Sequence, residues 1–458
     1  NNTTESKFEG MKMGTQRRIP EELRKVTTID ESEWGNIGYG FQWKRSWNGN
    51  FLSNLSATHS AYSSGSLAAT EKEKDLTTVV SGIGNNKVSD FTLSLDNEFS
   101  FSTNYAIRFG GRFTQNEISS NYAADNSSYM LNEDDKGSVG SAYFENQFEL
   151  FRKVAVNAGF RLSYFNRTDH FYFEPRLSLQ YHFSDKLCWN VGLGSYNQFV
   201  YQPMSDDVLI GNNNYWMIAG VDRVPVNHTE QYTSGLSFSN SGFVFGIDGF
   251  YKKLDGLTEC EISYTQKHSG NEGETVFHNG TGISRGIDLF VQKTEGNFTG
   301  WITYSLGSVI SNFPAMNGGH DFYASYDRTH QIKAVLNETY KSWDFSLIWI
   351  LATGTPYTAP DHVYKLKLEN GETIDYLHGG RKNACRLSNY HRLDLSANYH
   401  FYIRNARAII RFSVFNVCDH KNLWHKEFEI DSGTGRIKEV DLSGLGISPS
   451  VSFKVYMK

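Results

Sequence analysis

Apolar and polar residues alternate along this chain in stretch after stretch, and almost no stretch is apolar on both parities. From Phe173 one parity reads Phe173, Pro175, Leu177, Leu179, Tyr181 and Phe183, and the other reads Glu174, Arg176, Ser178, Gln180 and His182. Successive side chains of a strand point to opposite faces, so the segment predicts a strand with one oily face and one wet face. Val154, Val156, Ala158, Phe160, Leu162 and Tyr164 alternate in the same way with Asn157, Gly159, Arg161 and Ser163. Leu393, Leu395, Ala397, Tyr399 and Phe401 do so with Arg392, Asp394, Ser396, Asn398 and His400. A face carrying Arg, Asp, Glu and Gln along its full height is not a dry core. The pattern predicts an all-β fold, the wall of a wide transmembrane antiparallel β-barrel with lipid outside and water or a polar plug inside.

The connections sort by length. Eight are tight, among them Asn48-Gly49-Asn50, Arg152-Lys153, Asn240–Gly242, Lys341-Ser342 and Ile403–Asn405, with the turn chemistry of short hairpins. Seven are long and polar: Ser63–Lys87, Gln115–Gly140, Gln198–His228, Leu254–Gly280, Ser311–Tyr326, Gly354–Ser388 and Asp419–Leu442. Short turns on one side and long loops on the other are what outer-membrane barrels show. A sandwich or propeller does not sort its loops by side. The pattern yields about seventeen strands beginning near Ile37. Single-chain bacterial barrels are normally even-stranded, and the first strand here descends from the loop side. The expectation is therefore a remnant extracellular loop over residues 1–33, a barrel over 34–458, and an N-terminal part that precedes both in the natural protein.

Composition changes this picture little. Only 39% of the 458 residues are apolar, with 41 Gly, 8 Pro and 15% aromatics. A barrel needs apolar residues only on its outer belt, so a mean hydropathy of -0.48 is compatible with a membrane protein. No apolar run is long enough for a membrane-spanning helix. The net charge of -6 comes without a basic block, which argues against a nucleic-acid partner. Cys188, Cys260, Cys385 and Cys418 have no metal-ligand spacing, although Cys260 and Cys385 fall in long loops of one side and could pair.

Several blocks occur together in a familiar order. They are NGTGISRGIDLFVQKTEGNFTGWITYSLGSV from Asn279, ATGTPYT at Ala352–Thr358, SNYHRLDLSANYHF at Ser388–Phe401, FSVFNVCDHKN at Phe412–Asn422, and the ending PSVSFKVYMK. With them the chain resembles the C-terminal barrel region of TonB-dependent outer-membrane receptors, especially those of the Bacteroidetes type. The resemblance implies a barrel of 22 strands, of which about seventeen are present, and a plug domain that this sequence lacks. It also implies capture of a scarce nutrient (siderophore, haem, cobalamin or glycan) at the extracellular loops of a Gram-negative outer membrane. Import would use energy from TonB, reached only through the missing plug. A passive porin with a constriction loop folded into the pore, or a surface-binding adhesin using the loops alone, are the alternatives.

Candidate ligand contacts gather in and before the Gln198–His228 loop: Tyr196, Phe199, Tyr201, Tyr215, Trp216 and Asp222, with Met217, Asp206 and Asp207 beside them. Aromatic rings at a barrel mouth can stack on sugars, haem or siderophore rings; they can equally form an aromatic girdle or pack the loop on itself. His320, His330, His362, His378, His391, His420 and His425 sit in or beside the later loops, where a pair could ligate haem iron or a transition metal; without tight ligand spacing they read as ordinary polar loop residues, and no metal or other cofactor is expected. Asp327-Arg328, Lys333, Arg392, Asp394, Arg411 and Lys454 are expected to pair with one another on the lumenal face or to hold a plug. No nucleophile–base order or nucleotide loop is present, so no enzymatic activity is expected.

Overall fold

The computed structural model describes residues 26–72, 77–124, 131–203, 216–221, 224–267, 270–367, 373–431 and 434–456. Seventeen long strands follow one another in a single antiparallel ladder. They are β1 (Val26–Asn48), β2 (Phe51–Lys72), β3 (Thr77–Ser102), β4 (Tyr105–Ala124), β5 (Leu131–Leu150), β6 (Val154–Phe165), β7 (His170–His182), β8 (Leu187–Gln198) and β9 (Asn227–Asn240). The series continues with β10 (Phe243–Lys267), β11 (Gly270–Lys293), β12 (Phe298–Asn312), β13 (His330–Tyr340), β14 (Trp343–Ala352), β15 (Tyr390–Ile403), β16 (Ala406–Phe415) and β17 (Ser448–Tyr456). Each strand pairs with its neighbour in this order, so β1 and β17 are the two ends of the ladder.

The eight tight turns fall where the alternation pattern breaks. At Lys341-Ser342 the chain reverses in two residues, and Lys341 adopts a φ of 54°, the left-handed conformation that matches the twist of a hairpin. The oily parity faces outward and stays uncovered: Phe41 is 61% exposed, Phe173 58% and Phe412 47%. In water such rows would collapse into a core. Here they stay exposed on one face of the sheet, as the lipid-facing residues of a membrane barrel would be.

Three of the long connections expected from the sequence are strand. β2 and β3 remain paired out to Lys72 and Thr77, β4 and β5 to Tyr122 and Leu131, and β10 and β11 to Lys267 and Gly270. β1 likewise starts at Val26, inside the segment expected to be loop through Glu33. These strands run to 20–26 residues. At roughly 3.4 Å per residue they overshoot an apolar band of about 25 Å several-fold. In these outer parts the apolar alternation of the sequence ends while the backbone ladder continues. The link from β6 to β7 is a four-residue turn, 166–169, where no long loop was expected and none occurs.

The one compact hydrophobic cluster among the described residues lies inside the wall on the loop side. There the connection after β8 folds inward. Val200–Tyr201 pairs with Met217–Ile218, and these residues pack with Ala219 and Val224 onto Ile118, Val139 and Phe165 of β4 to β6. Phe165 is fully buried, its ring 4.8 Å from that of Phe199. The last long connection is tied down by the asparagines of the FSVFNVCDHKN block. Asn422 exchanges two hydrogen bonds of 2.8 Å with the backbone of His391, and buried Asn416 donates to the carbonyls of His420 and Leu445.

Candidate functional site

Register decides which lumenal side chains meet. On the wet parity Arg161 of β6 stands opposite Tyr143 of β5 and Glu174 of β7, and Arg176 of β7 stands opposite Gly159 and Gly194. Arg112 of β4 faces Ser141, whose hydroxyl accepts a 2.9 Å hydrogen bond from Arg161. Glu174 is only 3% exposed and accepts from the backbone N–H of Asn197 at 2.7 Å and from the Asn197 amide at 3.3 Å. Its second oxygen lies 3.5 Å from Arg176 and 3.8 Å from Arg161. One buried carboxylate thus serves two guanidiniums loosely. The Nε–H groups of Arg161 and Arg176 are buried with no hydrogen-bond acceptor among the described residues, and the hydroxyl of Ser163 on the same face is equally unsatisfied. A buried donor without an acceptor forfeits about 1–3 kcal/mol.

Tyr196 completes the group. Its ring lies back over Gly194, where a Cβ would come within 2.5 Å of the phenol oxygen, and the Arg176 guanidinium sits 5.1 Å from the ring centre. Gly194 is thus the seat that lets the ring lie flat beneath a cation. Arg176, Tyr196, Gly192, Gln231, Thr233 and Glu145 line a recess of about 230 Å³, which is room for one functional group of a ligand rather than a whole one.

Of the expected ligand contacts among the described residues, Tyr196 is the one placed on this wall. Tyr201 is buried, donates to the Pro225 carbonyl at 2.8 Å and shares a 2.9 Å hydrogen bond with Thr258; burial pushes its phenol up to about 12. Phe199 packs on Phe165 and Tyr172, and Trp216 flanks the same cluster while its carbonyl accepts from Ser120. These three rings pack the connection against the wall. Tyr215, Asp222, Asp206 and Asp207 lie outside the described residues. Cys260 belongs to the buried cluster, whereas Cys385 lies in the two-residue strand that pairs with Pro356–Tyr357.

The lumenal ions partner locally. Arg392 meets Asp394 at 3.1 Å, Arg411 donates to Asn398 at 2.8 Å, and Lys454 lies 4.8 Å from the Tyr456 ring centre. Lys333 stands opposite Thr303 and Ile350. Asp327 pairs with Arg386, 59 residues away, and not with adjacent Arg328, which lies over Tyr390. Arg386 also covers the Tyr323 ring at 4.7 Å, so guanidinium–phenol pairs recur around the loop side. In the loops, Lys426 is held above its usual range chiefly by its hydrogen bond with Glu439, and burial raises the Tyr357 phenol.

Arg112, Arg161 and Arg176 share the wet parity with Glu174 in the sequence pattern, but parity names only a face. Which residues stand side by side needs the register of β4 to β8.

A family model described as TonB dependent receptor-like, beta-barrel matches residues 13–417. No curated protein matches the chain in sequence. Among solved structures, the siderophore receptor PirA from Pseudomonas aeruginosa aligns with a TM-score of 0.53 at 10% identity, over 96% of this chain and 76% of that one. The outer membrane transporter YddB from Escherichia coli aligns with a TM-score of 0.60 at 10% identity, over 94% and 67%. The FrpB iron transporter from Neisseria meningitidis gives 0.52 at 12% identity, over 94% and 72%. At these identities the likeness is one of fold.

Proposed function

The chain belongs to the TonB-dependent receptor-like β-barrel family, and on that premise we propose that it is the barrel of a Gram-negative outer-membrane receptor that imports an anionic iron chelate of the siderophore class. The guanidiniums of Arg161 and Arg176, which share the single carboxylate of Glu174 beside Tyr196, carry this reading. A ferric catecholate or carboxylate chelate brings acceptor oxygens, negative charge and, for catecholates, flat rings, which are the three things this wall accepts. The names of the siderophore receptor and iron transporter that share the fold support the same class. Capture by the loops and wall involves no covalent step. In this reading, release inward draws on TonB through a plug domain.

The reading is tested by binding to the purified barrel in detergent, with ferric enterobactin, neutral ferrichrome and a maltooligosaccharide as probes. Saturable binding of the anionic chelate alone is the expected outcome. Preference for the sugar, or no preference between the anionic and neutral chelates, contradicts it.

The inward packing of residues 199–201 and 216–219 also favours a second reading, a diffusion pore with that connection as its constriction. Steady ion conductance across a planar bilayer, with no saturable ligand, would select the pore.

A further inference from the structure

Beyond the long loop strands, the connection between β14 and β15 carries its own hairpin, Pro360–Lys367 paired with Thr373–Gly379. His362 and His378 are direct cross-strand partners in it. The register shifts between Pro360 and His362, so Asp361 is the extra residue of a β-bulge. In a regular strand Asp361 and His362 would point to opposite faces. A bulge cancels that alternation and turns two consecutive side chains the same way. As a result Asp361 and His362 converge with His378. The Nδ1 atoms of His378 and His362 lie 2.8 and 3.0 Å from the same Asp361 oxygen. One donor atom from each of the three side chains lies within 4.8 Å of the others.

We propose that Asp361, His362 and His378 form a binding site for one divalent transition-metal ion of the zinc class. Donor atoms on a tetrahedral zinc ion sit about 3.4 Å apart, given bonds of about 2.1 Å. The two His–Asp separations are already slightly shorter than that, so small ring rotations open the triangle around an ion. Two imidazoles and one carboxylate select zinc, cobalt, nickel or copper over magnesium or calcium, which take oxygen donors. The Tyr364 ring packs against both imidazoles, stacked on His362 and edge-on to His378, and restricts their rotation. The three side chains are exposed, which leaves a fourth coordination position open to water. Bound metal would staple the two hairpin strands at the loop side of the barrel, independently of what the lumenal wall binds.

The test is a Co²⁺ titration of the full chain in detergent, followed by Zn²⁺ competition. The proposal expects one visible absorption band of tetrahedral cobalt per chain, bleached by Zn²⁺ and untouched by Mg²⁺. The band should be lost in His362→Gln/His378→Gln and kept in His320→Ala. No band in the unsubstituted chain, or an equal band in the double variant, overturns it. Carbethoxylation of the unsubstituted chain, mapped by mass spectrometry, gives the answer without any variant. Zn²⁺ protection of His362 and His378 supports the site, and equal modification with and without Zn²⁺ overturns it.

Discussion

Replacing Asp327 with alanine is expected to release the 313–329 and 353–389 connections from the wall at a cost of about 3–5 kcal/mol, the range for breaking one partner out of a buried ion pair. Asp327 is 1% exposed, and each of its carboxylate oxygens is committed. One accepts from the backbone N–H of Val309 on β12 at 2.7 Å, the other from Arg386 at 2.5 Å. Arg386 in turn donates to the Gly354 carbonyl at 3.1 Å. The substitution therefore strips one loop of its anchor on β12 and leaves a half-buried guanidinium unpaired in the other. Hydrogen exchange should accelerate in both segments while β6 and β7 keep their protection. Asp327→Asn keeps an acceptor for Val309 and should cost less. In the double variant Asp327→Asn/Arg386→Met the two costs should not add, because the lost partner is shared. Additive costs would mean that the pair is not coupled.

Arg176→Gln is expected to weaken binding of the anionic chelate about tenfold to a hundredfold, since a hydrogen bond to a charged group contributes roughly 1.5–3 kcal/mol. The choice of Arg176 matters. Arg161 stays beside Glu174, which also keeps its hydrogen bonds from Asn197, so the buried carboxylate is not stranded. The substitution removes the cation over Tyr196 and one unsatisfied donor together. Arg407→Gln, near the tight turns on β16, serves as the control and should leave the dissociation constant unchanged. Equal affinities for the parent and Arg176→Gln would remove this wall from ligand binding.

The strands of the wall were legible because a hydrocarbon belt and a wet lumen impose opposite demands on neighbouring residues. β6, β7 and β15 can be read residue by residue from that alternation, and the eight tight turns fall at its breaks. Where water bathes both faces the demand disappears. The upper halves of β2, β3, β10 and β11 are therefore rich in Ser, Thr, Gly and charged residues and look like loop, although the backbone stays paired. The aromatics after β8 posed a different problem. Phe199, Tyr201 and Trp216 have the composition of a ligand-stacking mouth, and a ring that packs a loop onto its wall has the same composition. Asp327 looked like the partner of adjacent Arg328, but residues next to each other in a strand or turn point apart. The carboxylate is met from a distant segment instead. His362 and His378 were passed over for want of ligand spacing, because the spacing is created by a bulge at Asp361 that no residue type announces.

The central claim is that one parity of every wall strand faces hydrocarbon and the other faces water. It is tested most directly by a cysteine scan of β7 in a background with Cys188, Cys260, Cys385 and Cys418 replaced by serine. Single cysteines at Phe173, Leu177 and Leu179, and at Arg176, Ser178 and Gln180, would be probed in lipid vesicles. The readouts are a membrane-impermeant maleimide and bromolipid quenching of a polarity-sensitive thiol label. The expected result is a period of two, with bromolipid quenching at the first three positions and aqueous labelling at the second three. Aqueous labelling at Phe173, Leu177 and Leu179, or reactivity without alternation, would contradict it.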